Sequence, residues 1–91
     1  MNTDKITVRA YEELNDWLPE KKRKKEFEIV LPSNSIVKDI TNKLGIPSNE
    51  IHLVLVNGKN SLLETKLHSS DRVSLYPIFE SIDISPIKII K

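Results

Sequence analysis

Five consecutive cations, Lys21, Lys22, Arg23, Lys24 and Lys25, form the densest charged run in the 91-residue chain. Held in one loop, they stand close enough to neutralise several phosphates of an RNA or DNA backbone in a weak, salt-sensitive contact. Glu20, Glu26 and Glu28 flank the run, and it contains no aromatic on which a base could stack. A solvated connection between two elements is therefore its plainer account. A second feature is apolar. Phe79, Ile82, Ile84, Ile87, Ile89 and Ile90 give the C-terminal segment more hydrocarbon than a tail left in water tolerates, so these side chains need a surface to cover. Two surfaces suit them. Ile82 and Ile84 alternate with Ser81, Asp83 and Ser85 as an added edge strand would, or the segment docks on a protein, whether a separately encoded subunit or a second copy of this chain.

The remaining reactive types offer little for catalysis. His52 and His68 have no Cys beside them, and two imidazoles do not close a zinc shell, so no metal is expected. Ser33, Ser35, Ser69 and Ser70 read as capping and turn residues, with no His and acid arranged to activate them. Glu12, Glu13 and Asp16 share one short helical segment that faces solvent, where nothing raises a carboxyl toward general-acid duty. Two Gly in the whole chain exclude a glycine-rich phosphate cradle. No enzyme, cofactor or small-molecule substrate is expected. With no Cys, a reducing cytoplasm is the expected home. The longest apolar run, Leu53 to Val56, is far below the roughly 20 residues of a bilayer span, so no membrane role is expected. A net charge of +1 leaves any electrostatic partner to a local patch.

Composition and periodicity supply the elements that would position these groups. Twelve Ile and six Val against one Ala favour strands over close-packed helices. Ile6, Val8 and Ala10 alternate with Lys5, Thr7 and Arg9, predicting a first strand with one wet face. Tyr11, Leu14, Trp17 and Leu18 then fall at helical spacing up to Pro19, predicting a short helix on which Trp17 lies as a lid over one core edge; an exposed Trp17 would instead mark an interface. Phe27, Ile29 and Leu31 form a second strand that ends at Pro32. The main helix is predicted from Ser35 to Leu44, with Ile36, Val37, Ile40 and Leu44 inward and Lys38, Asp39, Thr41, Asn42 and Lys43 outward. Ser33, Asn34 and Ser35 supply its N-cap candidates, and Gly45 and Pro47 end it. Ile51 to Val56 reads as a strand covered on both faces, Asn57-Gly58 as a hairpin turn, and Asn60 to Leu63 as its short return. Val73, Leu75 and Pro77 mark the last core strand. Placing the first and last strands side by side and parallel keeps the crossover right-handed and buries the helix stripe. The result is an α+β, ubiquitin-like β-grasp: a mixed sheet of four to five strands, one main helix on one face and a short extra helix after the first strand. A single domain over residues 1–91 is expected, with 79–91 as an extension.

The stretches Arg9-Ala10-Tyr11-Glu12-Glu13-Leu14-Asn15-Asp16-Trp17-Leu18-Pro19, Leu55-Val56-Asn57-Gly58 and Asp71 to Pro86 carry a family likeness. They resemble the ubiquitin-like domain that precedes the Mut-seven C-terminal (Mut-seven-C) RNase domain in many prokaryotic proteins. The likeness spans roughly Lys5 to Ile90, and Tyr76-Pro77-Ile78-Phe79-Glu80-Ser81 is its most specific part. More distantly, the layout is similar to the sulfur carriers ThiS and MoaD. Those carriers need a thin C-terminal Gly-Gly to enter an adenylating enzyme. Here Glu80-Ser81 stand near that place and Ile87-Lys88-Ile89-Ile90-Lys91 follow, so sulfur transfer is disfavoured. The acidic clusters and zinc-ribbon cysteines expected of the RNase portion are absent from these residues. The resemblance therefore implies a noncatalytic partner of such an RNase, with weak RNA contact through Lys21–Lys25 as the alternative.

Overall fold

The computed structural model describes residues 2–77. The first alternating segment forms strand β1 (Thr3–Ala10), with Ile6, Val8 and Ala10 buried. The short helix expected after β1 is present as a 3₁₀ helix, Glu12–Trp17, and a second 3₁₀ turn, Glu20–Lys22, follows it. Leu14 and Leu18 reach the core, but Trp17 is 45% exposed and does not act as a lid. Trp17 is the last residue of the first 3₁₀ helix and Leu18 is already in extended backbone (φ −101°, ψ 151°), so the two side chains do not share one helical face. Strand β2 (Phe27–Pro32) then buries Ile29 and Leu31 and leaves Val30 in water.

Helix α1 spans Val37–Leu44, beginning two residues later than its apolar spacing suggested. Ser35 is spent elsewhere, its hydroxyl donating to the Pro32 carbonyl at 2.6 Å. The helix is capped by Asp39 instead. Its carboxylate accepts the Ile36 N–H at 2.9 Å, while the N–H groups of Val37 and Lys38 donate to the carbonyls of Thr65 and Leu63 at 3.0 and 2.9 Å. Those bonds satisfy donors that the first helical turn leaves without internal partners. The buried stripe is Val37, Ile40 and Thr41, with Leu44 partly buried, so Thr41 faces inward and not outward as expected. Its hydroxyl donates to the Lys38 carbonyl at 2.8 Å, which removes the polar cost of burial. Gly45 closes the helix in the left-handed region at φ +77°, and the Ile46 N–H returns to the Thr41 carbonyl at 3.0 Å.

After a third 3₁₀ turn (Ser48–Glu50) come β3 (Ile51–Val56), β4 (Lys59–Ser61) and β5 (Arg72–Pro77). Asn57 and Gly58 both have positive φ, 53° and 82°, as a tight two-residue hairpin between β3 and β4 requires. The sheet order is β2-β1-β5-β3-β4. β1 and β5 are parallel, with Val8 opposite Val73 and Ala10 opposite Leu75, and the other pairs are antiparallel. This is the ubiquitin-like β-grasp. Its core joins one sheet face to Val37, Ile40, Ile46 and Leu67. β3 departs from expectation: Val54 alone is fully buried, Leu53 and Leu55 are half-buried and His52 is exposed. One helix covers one face, so among the described residues nothing covers the second face of β3.

Gly45→Ala should destabilise the fold by about 1 kcal/mol, the backbone cost of a left-handed residue bearing a Cβ. No heavy atom lies within 4 Å of the added Cβ, so the loss measured by urea unfolding is conformational and leaves the core spectrum unchanged.

Candidate protein-docking face

The uncovered face is organised by the same register that builds the core. Alternation turns Arg9 away from the helix, opposite Ser74 of β5, and places Leu53 opposite Tyr76 and Leu55 opposite Ser74. The chain stays extended beyond β1, where the Tyr11 N–H donates to the Leu75 carbonyl at 3.0 Å. That bond carries the Tyr11 ring onto the ring of Tyr76, stacked at 4.4 Å between centroids and 6° from parallel. The Arg9 guanidinium stands 5.0 Å from the Tyr11 ring centre, within cation–π range. A half-apolar patch results. Desolvation raises the Tyr76 phenol above its ordinary value of 10.0; a hydrogen bond with Tyr11 and that neighbour's charge add to the rise, and Arg9 opposes it.

The basic run is not a free tether. Lys22 places its ammonium 5.2 Å from the Phe27 ring centre, and the Arg23 Nε donates to the Leu18 carbonyl at 2.9 Å. The Lys24 N–H donates to Asn15 Oδ1 at 2.7 Å. Lys21, Arg23, Lys24 and Lys25 are exposed, so the cations face water around a fastened backbone. Buried Asn15 also donates through Nδ2 to the Glu12 carbonyl at 2.9 Å. It thus ties together two residues of positive φ, Glu12 at 52° and Lys24 at 60°. Such backbone persists only where its surroundings hold it.

Other sequence candidates are dispersed. Glu12, Glu13 and Asp16 are exposed. His68 is exposed and lies 3.9 Å from the Asp71 carboxylate, and among the described residues no group of three His, Cys, Asp or Glu could hold a metal. Phe79, Ile82, Ile84, Ile87, Ile89 and Ile90 lie outside the described residues. Sequence reasoning missed Arg9, Tyr11, Asn15 and Tyr76 as a group. The available signal was positional: Tyr76 falls on the wet side of its strand, and a parallel β1–β5 pair brings the residue just past Ala10 beside it.

Fold and face together define a ubiquitin-like domain with one sheet surface that no other described residue covers. The family model described as Mut7-C ubiquitin matches residues 3–83, and the chain belongs to that family. Similar solved structures include SAMP1 from Haloferax volcanii, at 16% identity and TM-score 0.63 over 84% of this chain and 97% of that one. The HVO 2177 protein of the same organism is similar at 20% identity and TM-score 0.65, covering 82% and 83%. A putative molybdopterin converting factor subunit 1 from Pyrococcus furiosus is similar at 19% identity and TM-score 0.61, covering 81% and 97%. No curated protein matches the chain.

Two outcomes test the geometry of the face. Because the folded Tyr76 phenol ionises later than the unfolded one, stability falls as pH rises from about 10 toward the folded value, and Tyr76→Phe should remove that part of the slope in urea unfolding across this range. Asn15→Ala should cost about 1–3 kcal/mol and speed hydrogen exchange at the Lys24 amide, because its buried acceptor disappears.

Proposed function

We propose that this domain is a noncatalytic interaction module that docks a protein through its open sheet face and its apolar C-terminal segment. The partner in this reading is an RNase of the Mut-seven-C type. The observation that carries it is the patch around Tyr11, Tyr76, Leu53 and Leu55, which the single helix leaves without cover. Aromatic rings and leucines set among a few polar groups are the chemistry of an interface core. Phe79, Ile82, Ile84, Ile87, Ile89 and Ile90 follow directly after β5 in the chain and extend the same apolar surface in this proposal. The family description pairs a ubiquitin-like domain with Mut7-C, and one structural neighbour is described as a small archaeal modifier protein. Both support a protein partner. RNA contact through Lys21–Lys25 is the lesser reading, since the run presents no ring for a base and is bordered by Glu20 and Glu26.

The test is co-elution of the full chain with a purified Mut-seven-C RNase. Paired Leu53→Asp and Leu55→Asp changes should weaken the complex at least about tenfold by burying charge in the patch, while changing Lys21–Lys25 to Ser should leave it within about twofold. Deleting the residues after Ser81 should also weaken it. Undiminished binding by the double aspartate variant, with its fold intact, overturns the proposal.

A further inference from the structure

We propose that the cleft at the end of β1 is a carboxylate-accepting subsite, which takes one Asp or Glu side chain of the protein docked on the open face. The inference rests on the docking reading above and adds its recognition chemistry. The cleft holds about 360 Å³ and is lined by Arg9, Ala10, Tyr11, Glu12, Asn15 and Lys24. That is the low end of the range for a small-ligand site and suits a single side chain.

The decisive atom is Arg9 Nε. It is buried and has no hydrogen-bond partner among the described residues, nor does Arg9 form an ion pair there. A buried, charged N–H donor without an acceptor is costly and rarely left so. The Tyr11 ring lies 5.0 Å from the guanidinium carbon, a cation–π contact that favours the guanidinium staying at this end of β1. An Arg held in this way offers Nε and one terminal nitrogen as a fork, the geometry that a carboxylate accepts with two parallel bonds. Lys24 supplies a second cation at the rim. The walls are stiff, since Asn15 bonds to Glu12 on one side and Lys24 on the other, holding both in left-handed backbone.

Charge around the cleft separates a carboxylate from a nucleic acid. Glu12 lines it, and the adjoining depression that shares Glu12, Asn15 and Lys24 adds two acids, Asp16 and Glu20, and one cation, Arg23. A phosphodiester chain must lay successive charges past these three acids, where like charges repel. A lone carboxylate in the cleft meets two cations, Arg9 and Lys24, against the one acid, Glu12. Glu12 does not itself fill the role, as it makes no ion pair with Arg9.

The experiment follows the side-chain Nε–H resonance of Arg9 in the isotope-labelled full chain. The probes are N-acetyl-glutamate N-methylamide, its glutamine counterpart and inorganic phosphate. Saturable shifts at Arg9 and at the Glu12 and Lys24 amides with the glutamate probe alone are expected. Arg9→Gln should weaken that binding at least about tenfold, and Arg9→Lys, which keeps charge without the fork, by nearly as much. An unchanged backbone spectrum of β1 shows that either variant is folded, and Arg9→Lys serves if Arg9→Gln is not. Equal shifts with the glutamine probe, saturation by phosphate alone, or full binding by Arg9→Lys overturns the subsite. Co-elution of the unaltered chain with the RNase is measured in parallel. A silent glutamate probe with a stable complex removes the subsite and leaves docking, whereas a responsive probe without a complex removes docking alone.

Discussion

The parallel pairing of β1 with β5 at the centre of the sheet decides what each face is for. Val8 beside Val73 and Ala10 beside Leu75 send four apolar side chains toward the helix. The same register sends Arg9 and Ser74 the other way and delivers Tyr11 to the ring of Tyr76. Slipping either strand by one residue would exchange its two faces, burying Arg9 where Val8 belongs. Core and outer face are therefore specified together. A strong hydrophobic reason to keep the inner face is also the reason the outer one keeps its form.

Side-chain amides secure the two ends of this central pair. At the end of β1, Asn15 fastens the loop of the basic run to the first 3₁₀ turn. At the start of β5, Asp71 accepts the Asn57 amide at 2.9 Å and the His68 N–H at 2.8 Å, while Asn57 Oδ1 accepts the Arg72 N–H at 3.0 Å. The hairpin turn is thus bolted to the entry of β5. The Asp71 carbonyl then accepts the Thr7 N–H at 3.0 Å, which transfers that position to β1. Left-handed backbone at non-glycine residues recurs in these loops, and at Glu12, Lys24 and Asn57 it is held by an Asn or Asp side chain whose removal leaves an unsatisfied donor or acceptor.

Much of this was legible in the residues. Alternation in β1 and β5, Gly45 after the helix and Asn57-Gly58 between strands each reflect a local rule with one strong solution. What escaped were choices made by tertiary partners. Thr41 is polar by type, yet its hydroxyl closes on Lys38 and the methyl is free to pack at the i+4 position from Val37. The run from Ile51 to Val56 is apolar on both sides, and no periodicity tells a covered face from an open one. Asn15 carries no pattern at all. Its importance comes from bonds to Glu12 and Lys24, of which the second spans nine residues. The Arg9 group was hidden for the opposite reason: its members obey the alternation rule so well that each looked like ordinary wet-face decoration.

Apolar patches and charges do different work on such a face. Leu53, Leu55 and the paired tyrosines are half-buried already, so a partner gains only the remaining area from covering them. Thr7 and Ser74 between them keep the surface polar and oppose indiscriminate association. Burial by itself would accept many greasy segments in many registers. Arg9 Nε, buried with no hydrogen-bond partner among the described residues, is more demanding, because a partner that covers it without bringing an acceptor leaves that donor unpaired in a still drier site. The basic run is of another kind: Lys21, Arg23, Lys24 and Lys25 are exposed, and charges in water act at longer range with little preference for orientation. In the docking proposed for this domain, discrimination therefore rests on Arg9, whose Nε the fold has already removed from water, and not on the five cations that advertise themselves in the sequence.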